Sequence, residues 1–448
     1  MFWGSGFKAN SARALLAAVC IGLAGAAALA GCAANETNNG EVRGNGAAIR
    51  LEYWTPFSGG DNQFMTEMVE RFNAEHPHIR VTQINSRLDD YYSRLRTAIL
   101  SGSAPDLAII HTTSLPQFVQ NGYIEDITDP ALEVGLDWSG LNANILEATI
   151  YDGRSYAVPL DTHALVMYYN KTHLRDAGVL DDAGKPIIAP GPEGFERFLG
   201  QIRDRLGEDI APLAMPSTRI DSVWLWWSLY SQMEGGGVFY NEEGTAAAFN
   251  NERALEALRY VYGLYESGLI PPDIADAFKL FIDGKAAVAF IGMWGTGAFE
   301  NAPNLDFGVV PVPKLYDRPA AWGDSHTLAV PTKHGMTDDK RKAALTFSKW
   351  MVEHGDLWAQ AGHVPSSTRV TASEAFHALD YRSDYAAVAN YVSYWPRHVK
   401  QWSIVEILIR EFEKMIYREQ TPEETLRNAE ELVNAEMGPE DGDGSHES

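Results

Sequence analysis

From Ile49 onward the chain alternates between two hydrophobic periods. Ile49, Leu51 and Tyr53 lie two apart, as on one face of a strand. Phe64, Met65, Met68, Val69 and Phe72 then recur at three- and four-residue spacing, which predicts an amphipathic helix over 62–75. Pro77 ends that run, and Ile79 to Ile84 reads as a second strand. A helix around 89–101 and the short apolar run Leu107 to Ile110, bounded by Pro105 and Asp106, complete a β-α-β-α-β succession. That order predicts an α/β fold in which crossover helices cover a buried parallel sheet. The same periods return after residue 165, with helices near 193–206, 221–233 and 251–267 and an apolar strand over 286–291. Near the end, Ile404, Val405, Leu408, Ile409, Phe412, Met415 and Ile416 form one helical face. Thr421-Pro422-Glu423-Glu424 then combines an N-cap threonine, a first-turn proline and a capping-box glutamate. There is no repeat of solenoid length, and the acidic, glycine-rich residues 438–448 offer nothing to bury and are expected to be disordered.

One apolar run fits neither period. Ala14 to Ala30 follows Lys8 and Arg13 and ends in Leu29-Ala30-Gly31-Cys32, the layout of a secretory signal that stops at a lipoprotein cleavage site. Residues 1–31 are thus expected to be a signal peptide, with Cys32 as the acylated N-terminus. Residues 33–48 would be a flexible tether reaching roughly 20–25 Å. An uncleaved anchor would equally place the bulk of the chain outside the cytoplasm, at the outer face of the membrane. Cys20 lies within the apolar run, so the processed chain would hold no disulfide and must rely on its core. Roughly 400 residues remain, ample for two domains, and no other run has the length to span a bilayer.

The formal charge is −24, and removing residues 1–32 takes away two positive charges and no negative one. Such a chain is a poor partner for nucleic acid or anionic lipid. It is nevertheless rich in tryptophan, with Trp224, Trp226 and Trp227 almost consecutive and others at 54, 294, 322, 395 and 402. An exported, acidic, tryptophan-rich protein suits carbohydrate, whose C–H faces stack on indoles and whose hydroxyls bond neutral or anionic groups.

Several catalytic patterns fail on geometry or composition. In Asp324-Ser325-His326, neighbours on an extended chain face opposite ways, so Ser325 points away from the other two. His76-Pro77-His78 lacks a third metal ligand at recognisable spacing. Gly292 to Gly297 is glycine-rich after a strand, but it has neither nucleotide-binding pattern nor a phosphate-loop lysine. Asp89-Asp90 and Asp181-Asp182 read as solvated charges. Trp226 and Trp227 read as core, since adjacent helical positions cannot share one cleft, whereas Trp294 follows a strand and precedes a Gly-Thr-Gly loop, where side chains emerge at a ligand crevice.

An ordered series of segments resembles the substrate-binding lipoproteins of carbohydrate ABC importers, the group that includes maltose-binding protein. The series runs from Tyr53-Trp54 and Phe72-Asn73 through Ser103 to Leu107, Tyr156 to Pro159 and Tyr168 to Lys171. It continues with Asp283 to Ala287, Gly292-Met293-Trp294, Pro311, and Ala343 to Trp350. The resemblance spans roughly 48–437 and implies a type II periplasmic-binding-protein fold: two α/β lobes joined by a hinge crossed several times, with ligand in the cleft between them. Crossings are expected near Pro159-Leu160, Trp322 to Val330 and Val364 to Ala372. Lobe one would hold 48–158 and 328–366, and lobe two 162–322 and 373–437.

The resemblance places ligand positions at strand ends. In lobe one these are Trp54, Thr55, Ser58 and Asp61, then His111, Thr112 and Thr113. At the hinge they are Asp161 and His163, with the histidine standing where relatives often carry a carboxylate, and Asp324 and His326. In lobe two they are Asp221, Trp224, Trp294 and Trp402, although Trp54 could equally cap the lobe-one core. The implied role is non-enzymatic capture of an oligosaccharide and its delivery, by a monomer without cofactor or metal, to permease subunits. An exported glycosidase or lyase with an aromatic cleft is the alternative in another class. A polyol phosphate cargo stays open through Arg87 and Arg219.

Overall fold

The computed structural model describes residues 48–57 and 60–438. Strands Ile49–Thr55 (β1), Ile79–Asn85 (β2) and Leu107–His111 (β3) pair in parallel with β1 between the other two, and helices Asp61–Glu75 and Leu88–Leu100 connect them. Alternate residues of β3 enter different cores: Leu107 and Ile109 pack with Leu51, Phe72 and Phe347, while Ala108 and Ile110 pack with Tyr91, Leu95 and Phe118. This strand is therefore covered on both faces, which is why it reads as an unbroken apolar run.

A hairpin of Ile150–Tyr151 (β4) and Arg154–Ser155 (β5) precedes Val158–Pro159 (β6), at the far edge of the same sheet. After Leu160 the chain enters a second sheet as Asp161–Asn170 (β7), all ten residues of which are buried. That sheet is completed by Ala211–Ala214 (β8), Ala286–Gly292 (β9), Phe307–Pro311 (β10) and Ala321–Asp324 (β11). Past Ser325, the chain returns to the first sheet as His326–Ala329 (β12), and two short strands, Val364–Pro365 (β13) and Val392–Ser393 (β14), pair with β7 and β11. The orders are β2-β1-β3-β12-β6 and β14-β11-β7-β9-β8, with β10 and β13 also on β7. The result is a two-lobed α/β architecture whose connecting segments run side by side.

Both sheets are mixed. β12 runs antiparallel to β3 and β6, and β7 antiparallel to β9, β10, β11 and β13. The larger core lies around β7 and β9 and takes in Trp226 and Trp227, each of which satisfies its indole N–H on a backbone carbonyl, at Ala254 (2.9 Å) and Ser393 (3.0 Å). Helix Gln401–Ile416 buries Ile404, Val405, Leu408, Phe412, Met415 and Ile416 against it. Helix Pro422–Met437 begins with the reciprocal Thr421–Glu424 capping box.

Among the described residues no helix is long and apolar enough to cross a membrane. The apolar run, Cys32, most of the tether, Ser58 and nearly all of the acidic tail fall outside the described residues.

Candidate functional site

Strand register brings the hinge residues together. His326 pairs with His111 across β12 and β3, and Asp324 pairs with His163 across β11 and β7. The ends of four strands from two sheets therefore meet where the chain passes between lobes. Ser325, between β11 and β12, is fully buried, and its hydroxyl donates to the Asp161 carbonyl, tying one crossing segment to another.

One side of this junction is an aromatic wall. Trp224, on helix Asp221–Gln232, stacks on Trp322 of β11 with ring centroids 3.9 Å apart and planes 15° from parallel. Trp294 stands edge-on to Trp224 at 5.8 Å and to His163 at 5.6 Å. The Trp322 backbone N–H donates to Ser228 Oγ (2.7 Å), one helical turn beyond Trp224, which fixes strand against helix. Gly292 leaves the space that the Trp294 ring occupies, because a Cβ there would sit 1.9 Å from the folded-back indole. The indole N–H groups of Trp224 and Trp322 are buried without an acceptor. Among the described residues the other such indole is Trp138, which packs against the first lobe's core. An indole N–H is a donor only, so the wall holds two buried donors that the protein itself leaves unpaired.

The other side is polar. Asp324 accepts from the Thr112 hydroxyl, from Thr113 Oγ1 (2.6 Å) and from the Thr113 backbone (3.3 Å), so a carboxylate on β11 holds the loop after β3. Asp161 is fully buried and lies 2.8 Å from His326 Nδ1 and 3.2 Å from His163 Nδ1, while Trp358 Nε1 donates to it at 2.5 Å. Burial would raise the Asp161 carboxyl, but the neighbouring His326 and His363 override it and hold it well below the usual range. Burial also lowers the imidazoles, and the balance differs between them. His163 ends above its ordinary value because Asp161 bonds it, whereas His111 ends well below, with His326 and His163 adding to the effect of burial. Tyr92 completes this side, its hydroxyl 2.6 Å from His111 Nδ1.

His111, Thr112, Thr113, Asp161, His163, Trp224, Trp294, Asp324 and His326 thus converge. Asp61 joins them from the start of helix Asp61–Glu75, with its Oδ2 3.7 Å from His363 Nε2. Thr55 is buried and bonded to Asn85 and Gln83. Trp54 turns to the smaller first-lobe core, its N–H on Glu52 and the Arg94 guanidinium 5.6 Å from its ring. Asp221 is buried at the start of the Trp224 helix, 3.5 Å from Arg219, and burial pushes its carboxyl up to about 6. Trp402 is half-exposed and makes no ring contact with the wall. Trp322, Trp358 and His363 belong to the junction without having been singled out. The sequence clue to His363 is its place immediately before the third expected crossing.

A cavity of about 230 Å³ lined by Thr112, Tyr394, Trp395 and Arg397 opens at this junction. A larger one of about 700 Å³ lies away from it, among the loops around Gly207 and Pro271, and has no aromatic lining.

Two α/β lobes with an aromatic and polar site at their crossing define a binding protein of the hinged, two-lobe class. The family model of bacterial extracellular solute-binding proteins matches residues 58–356, and the chain belongs to that family. The arabinooligosaccharide-binding protein of Halalkalibacterium halodurans is 25% identical over 436 residues, covering 87% of this chain and 90% of that one. The diacetylchitobiose binding protein DasA of Streptomyces coelicolor is 25% identical, covering 67% of this chain and 69% of its own. Among solved structures, the ABC substrate-binding protein of Listeria monocytogenes in complex with cycloalternan superposes with a TM-score of 0.75 at 22% identity, covering 87% of this chain and 99% of that one.

Proposed function

We propose that this protein captures an oligosaccharide between its lobes and delivers it to the permease subunits of an ABC sugar importer, without transforming it. The observation that carries the reading is the Trp224–Trp322 stack with two buried, unaccepted indole N–H groups, beside Trp294. Sugar rings present the matching chemistry, an apolar face ringed by hydroxyls that accept hydrogen bonds. The arabinooligosaccharide- and diacetylchitobiose-binding relatives point to the same class of ligand. Asp324 and His111 supply polar partners beside that wall. A phosphate-bearing cargo is less well served, since Arg219 already faces Asp221.

In this reading the lobes comprise 48–158 with 328–366 and 162–322 with 373–437. Sugar that touches both walls favours the closed form by its differential affinity for it. The chain works as a monomer held at the outer face of the membrane through Cys32.

Calorimetry with a panel of arabino-, chito- and malto-oligosaccharides, followed by chromatography of the recovered sugar, tests the proposal. Saturable binding of one class with the sugar recovered intact is the expected result. Cleavage products would move the protein to the glycosidase class, and binding of none of these sugars would refute the reading.

A further inference from the structure

Asp161, His163, His326 and His363 each place one potential ligand atom within 4.8 Å of all the others, and all four are buried. They come from the three segments that join the lobes: Asp161 and His163 from β7, His326 from β12, and His363 from the residue before β13. The Nδ1 atoms of the three imidazoles converge on one carboxylate, at 3.2 Å for His163, 2.8 Å for His326 and 3.8 Å for His363. Ligand atoms around a tetrahedral zinc ion, at bonds of about 2.0–2.1 Å, stand about 3.3–3.4 Å apart, and the carboxylate faces the imidazoles at comparable range with both oxygens, Oδ2 toward His326 and His363 and Oδ1 toward His163.

Hydrogen bonding accounts for only part of this arrangement. His326 and His163 are within reach of Asp161, but His363 is fully buried and both of its nitrogens lack a hydrogen-bond partner. Nδ1 stands 3.8 Å from Asp161 and Nε2 3.7 Å from Asp61, whose Oδ1 is also buried and unpartnered. An imidazole in such a place gives up its hydration without gaining a hydrogen bond in return. Its ring is held by stacking on Trp358, with centroids 4.5 Å apart and planes 8° from parallel. Backbone geometry holds it as well: Gly362 has φ of +118°, and a Cβ there would strike the Met293 carbonyl at 2.1 Å. Trp358 N–H and the His326 backbone N–H bond the carboxylate and orient it, as outer partners do around a metal ligand.

We propose that Asp161, His163, His326 and His363 bind one divalent transition-metal ion, zinc fitting three imidazoles and a carboxylate best, and that the ion fastens the three crossing segments to one another. Copper(II) and nickel(II) suit the same donors but favour tetragonal geometry. The ligands are enclosed by the wall and by Phe57, whose ring lies 5.1 Å from both His326 and Trp358, so the ion enters when the lobes part. Its role is independent of the identity of the sugar.

The test uses the processed chain stripped with a chelator and dialysed. Zinc titrated against a chromophoric chelator should load to one equivalent, and cobalt(II) should give the visible absorption of a tetrahedral site. His363→Gln should weaken zinc binding about 100-fold or more, while His78→Gln, at an exposed histidine, should leave stoichiometry and affinity unchanged. If His363→Gln fails to fold, the wild-type cobalt spectrum decides. Absence of a tetrahedral band, zinc retained equally by His363→Gln, or zinc lost in His78→Gln would each overturn the proposal.

Discussion

Trp294 meets both sides of the junction, edge-on to Trp224 and to His163. Replacing it with alanine removes a stacking surface but no core packing on the scale of Trp226. Sugar affinity should fall by about 1–3 kcal/mol, as for loss of an aromatic anchor from an interface. Calorimetry on Trp294→Ala checks this, with an unchanged melting temperature as evidence of an intact fold. Asp221 makes a second prediction, about pH. Its folded pKa of about 6 lies above the ordinary 3.8, so folding takes up a proton there. The cost of burying the charge is full above about pH 6 and fades as the pH falls toward 3.8. Asp221→Asn should therefore stabilise the protein at pH 7–8 by about 1–3 kcal/mol and by almost nothing near pH 4, as measured by denaturant unfolding at both pH values.

At the scale of elements, the end of β9 shows how local sterics set the wall. Gly292→Ala puts a methyl where the Trp294 indole lies, so the ring must leave. This variant should lose sugar affinity much as Trp294→Ala does and should also lose about 1–3 kcal/mol of stability from forced repacking. Differential scanning calorimetry and titration together separate the two effects. The same end of β9 was legible as a place where a tryptophan emerges, because a strand, a glycine and a loop stand in sequence. Adjacent positions on one helix likewise assigned Trp226 and Trp227 to the core, and a four-residue pattern located the capping box. What local pattern could not reveal is pairing between distant segments. β12 aligns with β3 although more than two hundred residues separate them, and that register alone sets His326 beside His111. Trp322 stands at the start of an expected crossing, and only the placement of β11 sets it against Trp224. Trp54 lies on the alternate face of β1 from Tyr53, and the alternation itself could have assigned it to the minor core.

For the whole molecule, two lobes joined by strands that carry Asp161, Asp324 and His326 make the site and the hinge one structure. Attachment through Cys32 is a separate part of the proposed reading. Cys32→Ser should release the protein from the membrane fraction into the soluble exported fraction, because acylation needs that thiol. Fractionation and immunoblotting read the outcome directly. The central claim is that sugar is held by both lobes at once, and its most direct test is small-angle scattering of the wild-type chain with and without the oligosaccharide that calorimetry selects. Binding to both walls favours the closed population, so the radius of gyration should fall on saturation and return when the sugar is removed. Tight binding with an unchanged scattering profile would contradict a receptor that closes on its ligand.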